Sequence, residues 1–160
     1  MDQEQGLERF RAEVERRLPE LVEGLVACAP HRRIADRAPN APGIYLYSEG
    51  DRHLYVGRTR DLSRRWADHT RPSSSINSAS FAFNIAKRAT AKEGVNVAIA
   101  RLQLAAHPIF ECAFIDAKAR VRAMDYRFVP VDSAVLSTVG EVYAAMVLGT
   151  EGDFNAFETH

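Results

Sequence analysis

Between residues 43 and 69 the chain sets two short glycine-and-aromatic segments ahead of a helix-forming run, and few folds can use that order. Gly43-Ile44-Tyr45 opens the first segment and Tyr55-Val56-Gly57 ends the second. Asp61-Leu62-Ser63-Arg64-Arg65-Trp66-Ala67-Asp68-His69 follows. Residues 43–48 and 52–58 alternate with the two-residue period of strands. Glu49-Gly50-Asp51 between them fits a three-residue hairpin loop with Gly50 in the left-handed position. That register pairs Ser48 with Arg52 and sets Tyr45 opposite Tyr55. A one-residue slip would part the tyrosines; a two-residue slip would keep them on one face. On the helix from Leu62 to about Thr70, Leu62 and Trp66 make one stripe, and Arg65 and His69 at i and i+4 make another. Folding alone requires no such polar pattern, so it points at chemistry.

Taken singly, these residues have bland readings. A strand tyrosine usually fills a core or its rim, and a helical Arg or His is usually solvated. Taken together they resemble the core of the GIY-YIG nuclease superfamily, and Tyr55-Val56-Gly57 through His69 carries most of the likeness. The resemblance implies an α+β fold: a small three-stranded, mostly antiparallel sheet flanked by helices. It also implies an endonuclease, a metal-dependent hydrolase of DNA phosphodiesters. Hydrolysis needs an activated water and charge on the phosphate oxygens and the leaving alkoxide. By resemblance Tyr45 acts on the water with His69, Tyr55 orients water or phosphate, and Arg65 clamps the scissile phosphate. A tyrosine phenol, with an ordinary pKa near ~10, needs such a neighbour to work at neutral pH. Gly57 lets substrate or the Arg-bearing helix come close to the backbone.

Charge supports the reading only locally. The chain carries 21 Lys plus Arg against 21 Asp plus Glu, so the whole gives no electrostatic case for nucleic acid. From Arg52 to Arg71, however, every cation is arginine, whose planar fork suits phosphate. Arg58, Arg60 and Arg64 are therefore expected to touch flanking phosphates of DNA.

The superfamily also uses a glutamate on a later helix to hold one divalent metal. Independently of that, Glu141 is the one charged residue in the helical run 134–148, flanked on its own side by small residues. Val135, Leu136, Val139, Val142, Tyr143, Met146 and Val147 make a broad apolar face opposite it. A partly buried carboxylate needs a cation, a metal or hydrogen bonds. Two readings stand: an ion pair to a motif arginine, or ligation of Mg²⁺ or Mn²⁺ that keeps most of its water. Asn155 matches an amide that many superfamily members carry after this helix, where it can meet phosphate or hold the metal ligand in place. His160 is a further candidate.

The rest of the chain supplies framework. Leu7, Phe10, Val14, Leu18, Leu21 and Leu25 mark an amphipathic helix over roughly 6–27, kinked or split by Pro19. It serves either as a cover on the core or as a surface for a homodimer or partner protein. Residues 30–42 read as loop and 71–78 as a flexible polar loop. Helices are expected over Ser80 to Lys92, with Phe81, Ile85 and Ala89 inward, and from Pro108 to about Arg122. A third strand is expected near Asp125 to Val131, and 95–106 stays ambiguous. The division expected is an N-terminal helical extension, 1–40, and a nuclease domain, 41–160. Cys28 and Cys112 suit reduced thiols, and no apolar run approaches the ~20 residues that span a bilayer, so a cytoplasmic protein without a membrane segment is expected. Against the nuclease stands a catalytically inactive nucleic-acid-binding or protein-interaction domain that retains the fold.

Overall fold

A computed structural model describes residues 2–32, 38–155 and 157, so His160 and part of the expected loop 30–42 lie outside the described residues. The elements run α1 (Gln3–Glu13), a 3-10 turn (Glu15–Arg17), α2 (Leu18–Ala27), β1 (Gly43–Glu49), β2 (Arg52–Thr59) and α3 (Leu62–Thr70). They continue with α4 (Ser80–Lys92), α5 (Arg101–Ala105), α6 (Pro108–Ala123), β3 (Asp125–Pro130) and α7 (Ala134–Val147). This is the expected α+β fold. The chain forms two compact units, Met1–Ser63 with Asp125–His160, and Arg64–Met124.

In the first unit the three strands lie in the order β2-β1-β3, antiparallel throughout. Gly50 turns the hairpin at φ 58°, as expected. The register is not as expected: Glu49 pairs with Arg52, Ser48 with His53, Tyr47 with Tyr55 and Tyr45 with Gly57. A shift between Tyr47 and Ser48 leaves Leu54 as an extra residue on β2. This bulge allows a two-residue turn and replaces the expected Tyr45–Tyr55 pair. Tyr45 and Tyr55 are displaced by two, so they keep a common face.

The sheet's other face builds the core. Ile44, Leu46 and Val56 pack with Leu18, Leu21, Val22 and Leu25 of α2 and with Leu136, Ala144 and Ala145 of α7. Burying such a side chain fully is worth about 1.5–3 kcal/mol. Thus α2 belongs to the core rather than to an appendage. The N-terminal helix breaks at Val14 (φ −125°, ψ −68°), not at Pro19, which sits in the first turn of α2 where its missing N–H costs nothing. No residue of α1 is buried, and Leu7 and Phe10 face solvent.

α7 is rotated from the face its sequence suggests. Leu136, Ser137, Gly140, Ala144 and Ala145 are buried and Val139 and Tyr143 pack partly against the core, whereas Val135, Val142, Met146 and Val147 are exposed. The cause is close approach: a Cβ on Gly140 would stand 2.8 Å from Ile44 Cδ1 and 3.0 Å from Leu21 Cδ1. Small residues let the helix settle on the sheet, and four of the seven residues of the expected apolar face are left outside.

In the second unit α4 packs on α6 around Phe81, Phe83, Phe110 and Phe114. Phe83 and Phe110 lie 5.1 Å apart by ring centroid. Ala89, expected inward, is exposed. The serine-rich stretch after α3, expected to be flexible, is tied down: Lys118 donates to the carbonyls of Pro72 and Ser74, and Arg101 to that of Ile76.

Candidate active site

The tyrosine face of the sheet owes its geometry to one glycine. Tyr45 is 1% exposed, and its ring crosses from β1 over Gly57 of β2. A Cβ at Gly57 would lie 2.3 Å from the Tyr45 hydroxyl and 2.4 Å from Cζ, far inside contact distance. The close approach that Gly57 permits in this structure is by Tyr45. Tyr47, Tyr55 and Tyr126 surround the ring at centroid distances of 5.9, 6.2 and 5.6 Å. Tyr126 in turn donates to the Leu62 carbonyl at the start of α3 (3.1 Å).

The next residue of β2 points the other way, as the pleat requires. Arg58 Nε donates to Glu141 Oε2 at 3.0 Å, so β2 and α7 are joined by an ion pair. Glu141 is 22% exposed and Arg58 50%. The pair borders a cavity of about 570 Å³ lined also by Thr59, Arg60, Asp132 and Ser137. Glu141 is partly buried, as expected, and of its two readings the ion pair to an arginine is the one seen. Asp132 and Ser137 line the same cavity, and nothing in the sequence pattern singled them out as site residues.

Asn155 is buried, and its side chain reaches the β2 backbone. Its Oδ1 accepts from Val56 N–H (2.9 Å) and its Nδ2 donates to Val56 O (2.6 Å). This is the geometry of a brace on the strand between Tyr55 and Gly57.

The Arg64, Arg65 and His69 side chains belong to the second unit. Arg64 is exposed and sits 3.9 Å from Asp68. Arg65 donates through Nη1 to Ser78 O (3.1 Å) and through Nη2 to Ser80 Oγ (2.9 Å). Nothing in the sequence around Ser78 signalled that role. His69 is buried, with its ring 6.5 Å from that of Phe81. Burial first, and the Arg65 charge second, push the imidazole well below its usual range, so it is neutral at pH 7. It is not poised to titrate near neutrality, as its residue type alone suggested.

A divalent metal can be tested against this donor set. Glu141 offers a hard oxygen ligand, and Asp132 lines the same cavity, which is roomy enough for a hydrated ion. No group of three or more His, Cys, Asp or Glu able to hold a metal occurs among the described residues. The residues therefore fit an ion such as Mg²⁺ that keeps most of its water, and not a fully protein-ligated one.

The antiparallel sheet with its β1–β2 hairpin, flanked by helices, is an α+β fold like that of the GIY-YIG nucleases. Residues 41–99 match the family model described as the GIY-YIG catalytic domain. UvrABC system protein C of Aquifex aeolicus (strain VF5) is 35% identical over 40 residues, which make up 25% of this chain and 7% of that protein. No solved structure matches the chain. No helix among the described residues is long and apolar enough to cross a membrane.

Proposed function

We propose that the protein is a divalent-metal-dependent endonuclease that hydrolyses DNA phosphodiesters in the cytoplasm. The observation that carries this is the Tyr45 hydroxyl held over Gly57, which joins the two signature segments of the family in one contact. Tyr45 takes a proton from the attacking water as it passes its own phenolic proton to a base, and Tyr55 beside it orients water or phosphate. His69 assists that deprotonation by likeness to the family, and burial makes its imidazole a weaker base than its residue type suggests. Arg65 bears on the scissile phosphate, while its bonds to Ser78 and Ser80 fix its direction. Glu141 holds Mg²⁺ or Mn²⁺, and the ion, when bound, polarises the phosphate and stabilises the leaving oxygen. Gly57 and Asn155 are positioning residues. Arg58, Arg60 and Arg64, all exposed, meet flanking phosphates and place the duplex without reading its sequence. Leu7 and Phe10 on α1 support a surface for a second copy or a partner protein.

The rival, a domain that binds without cutting, draws on the burial of Tyr45 and His69. Incubation with supercoiled plasmid and Mg²⁺ or Mn²⁺, with an EDTA control, separates the two. The nuclease nicks or linearises plasmid only with metal, and Glu141→Gln abolishes cleavage while DNA binding persists. Full activity in that variant would remove Glu141 from the metal site.

A further inference from the structure

Glu141 is the sole charge on α7, and a guanidinium already lies on it. That pair is the starting point. A divalent ion bound to this carboxylate would sit a few ångströms from a fixed positive charge, and like charges at that range repel. Arg58 is half exposed, sits on an edge strand, and shares the cavity wall with Thr59 and Arg60. Its side chain can therefore turn outward without breaking any core packing. A phosphate entering the cavity offers it a second anion, and the guanidinium fork matches phosphate at least as well as carboxylate.

We infer that Arg58 is an exchangeable counter-ion of Glu141: it occupies the carboxylate in the free protein and passes to a DNA phosphate on binding, so that DNA and metal load the site together. This rests on the nuclease reading above and adds its regulation. The free protein holds metal weakly, which restrains cleavage chemistry until a substrate backbone lies in the cavity. Because coupling between two ligands is reciprocal, a divalent ion raises DNA affinity by the factor by which DNA raises metal affinity.

The test reads binding rather than turnover. Mn²⁺ affinity of the free protein is measured by electron paramagnetic resonance for wild type, Arg58→Gln, Arg58→Lys and Glu141→Gln. Affinity for a short duplex is measured by fluorescence anisotropy in Ca²⁺ and in EDTA, and melting curves check that each variant folds. A partly exposed ion pair is a modest competitor, so Arg58→Gln is expected to bind Mn²⁺ about 2- to 10-fold more tightly than wild type. Arg58→Lys, which keeps the charge, stays near wild type. The Ca²⁺-dependent gain in duplex affinity, present in wild type, disappears in Arg58→Gln. Unchanged or weaker Mn²⁺ binding in Arg58→Gln, with binding lost in Glu141→Gln, overturns the exchange and leaves the metal site standing. Mn²⁺ binding that is absent in wild type and in Arg58→Gln alike, or that survives Glu141→Gln, overturns the metal assignment itself.

Discussion

The hairpin and the helix that follows it carry two parts of one motif, yet they hold their residues by different means. On the hairpin, Tyr45 is fixed by contact: Gly57 lies beneath it and three aromatic rings surround it. In the second unit, Arg65 is fixed by hydrogen bonds to Ser78 and Ser80, and the stretch around them is tied to Arg101 and Lys118. A packed position has no slack, because a misplaced methyl has nowhere to go. A position held by polar bonds has some, since water can replace a lost partner. The hairpin should therefore be the more brittle half.

Adding one methyl at Gly57 is the strongest way to break that comparison. Gly57→Ala must push the Tyr45 ring aside, which by overpacking costs about 1–3 kcal/mol and moves the hydroxyl. Cleavage should fall at least as far as when the phenol is removed, and the melting temperature should drop. Wild-type activity in Gly57→Ala would mean that the position of Tyr45 is immaterial.

Tyr45→Phe sharpens the same point by sparing the packing. It keeps the ring, so stability should change by only about 1 kcal/mol, while the rate falls ~10² to 10⁴-fold if the phenol moves a proton. Tyr47→Phe, a fully buried neighbour on the same face, is the control and should cost little activity. Equal losses at both would assign the face to packing or binding.

Acid probes the helical half. The His69 pKa is depressed in the folded protein, so the unfolded chain takes up more protons at mildly acid pH. The stability linked to it is fully present above the unfolded value of ~6.5 and is lost as pH falls through the folded one. His53, also depressed, mainly by burial, acts in the same direction. The melting temperature should fall from pH 7 to pH 5, less steeply in His69→Asn. An unchanged slope in that variant would mean that the imidazole is not held neutral.

The smallest effect belongs to the exposed cations. With Arg58, Arg60 and Arg64 making about three phosphate contacts, log affinity should fall with log salt at a slope near about −3. Arg60→Ala should lower that slope by about one unit and leave the fold intact, as filter binding across salt concentrations can show. Affinity that ignores salt would instead favour the protein-interaction reading.

What the sequence disclosed followed the same divide between pattern and fit. The bounds of α3, α4, α6 and β3 were legible from periodicity and from Pro108. Glu141 was found because a lone charge on an apolar helix stands out. The register of the hairpin was not legible, because the bulge at Leu54 has no signature among alternating residues. Nor was the inward face of α7. Hydrophobicity points to Val142 and Met146, but the distance between helix and sheet selects Gly140 and Ala144, and that distance is a tertiary property. The pairing of Arg58 with Glu141 joins residues far apart in the chain and could be guessed in kind but not in identity.

The brace at Asn155 has a consequence beyond the site. β2 is an edge strand, and an edge offers its open N–H and C=O groups to any passing strand. By taking both backbone groups of Val56, a single amide does there what a fourth strand would do, and it closes the middle of that edge to pairing with another copy. Asn155→Ala, or a chain cut just before it, would uncover the donor and the acceptor of Val56 in the middle of that edge. Self-association through β2, rather than unfolding, is then the failure such a protein would suffer first.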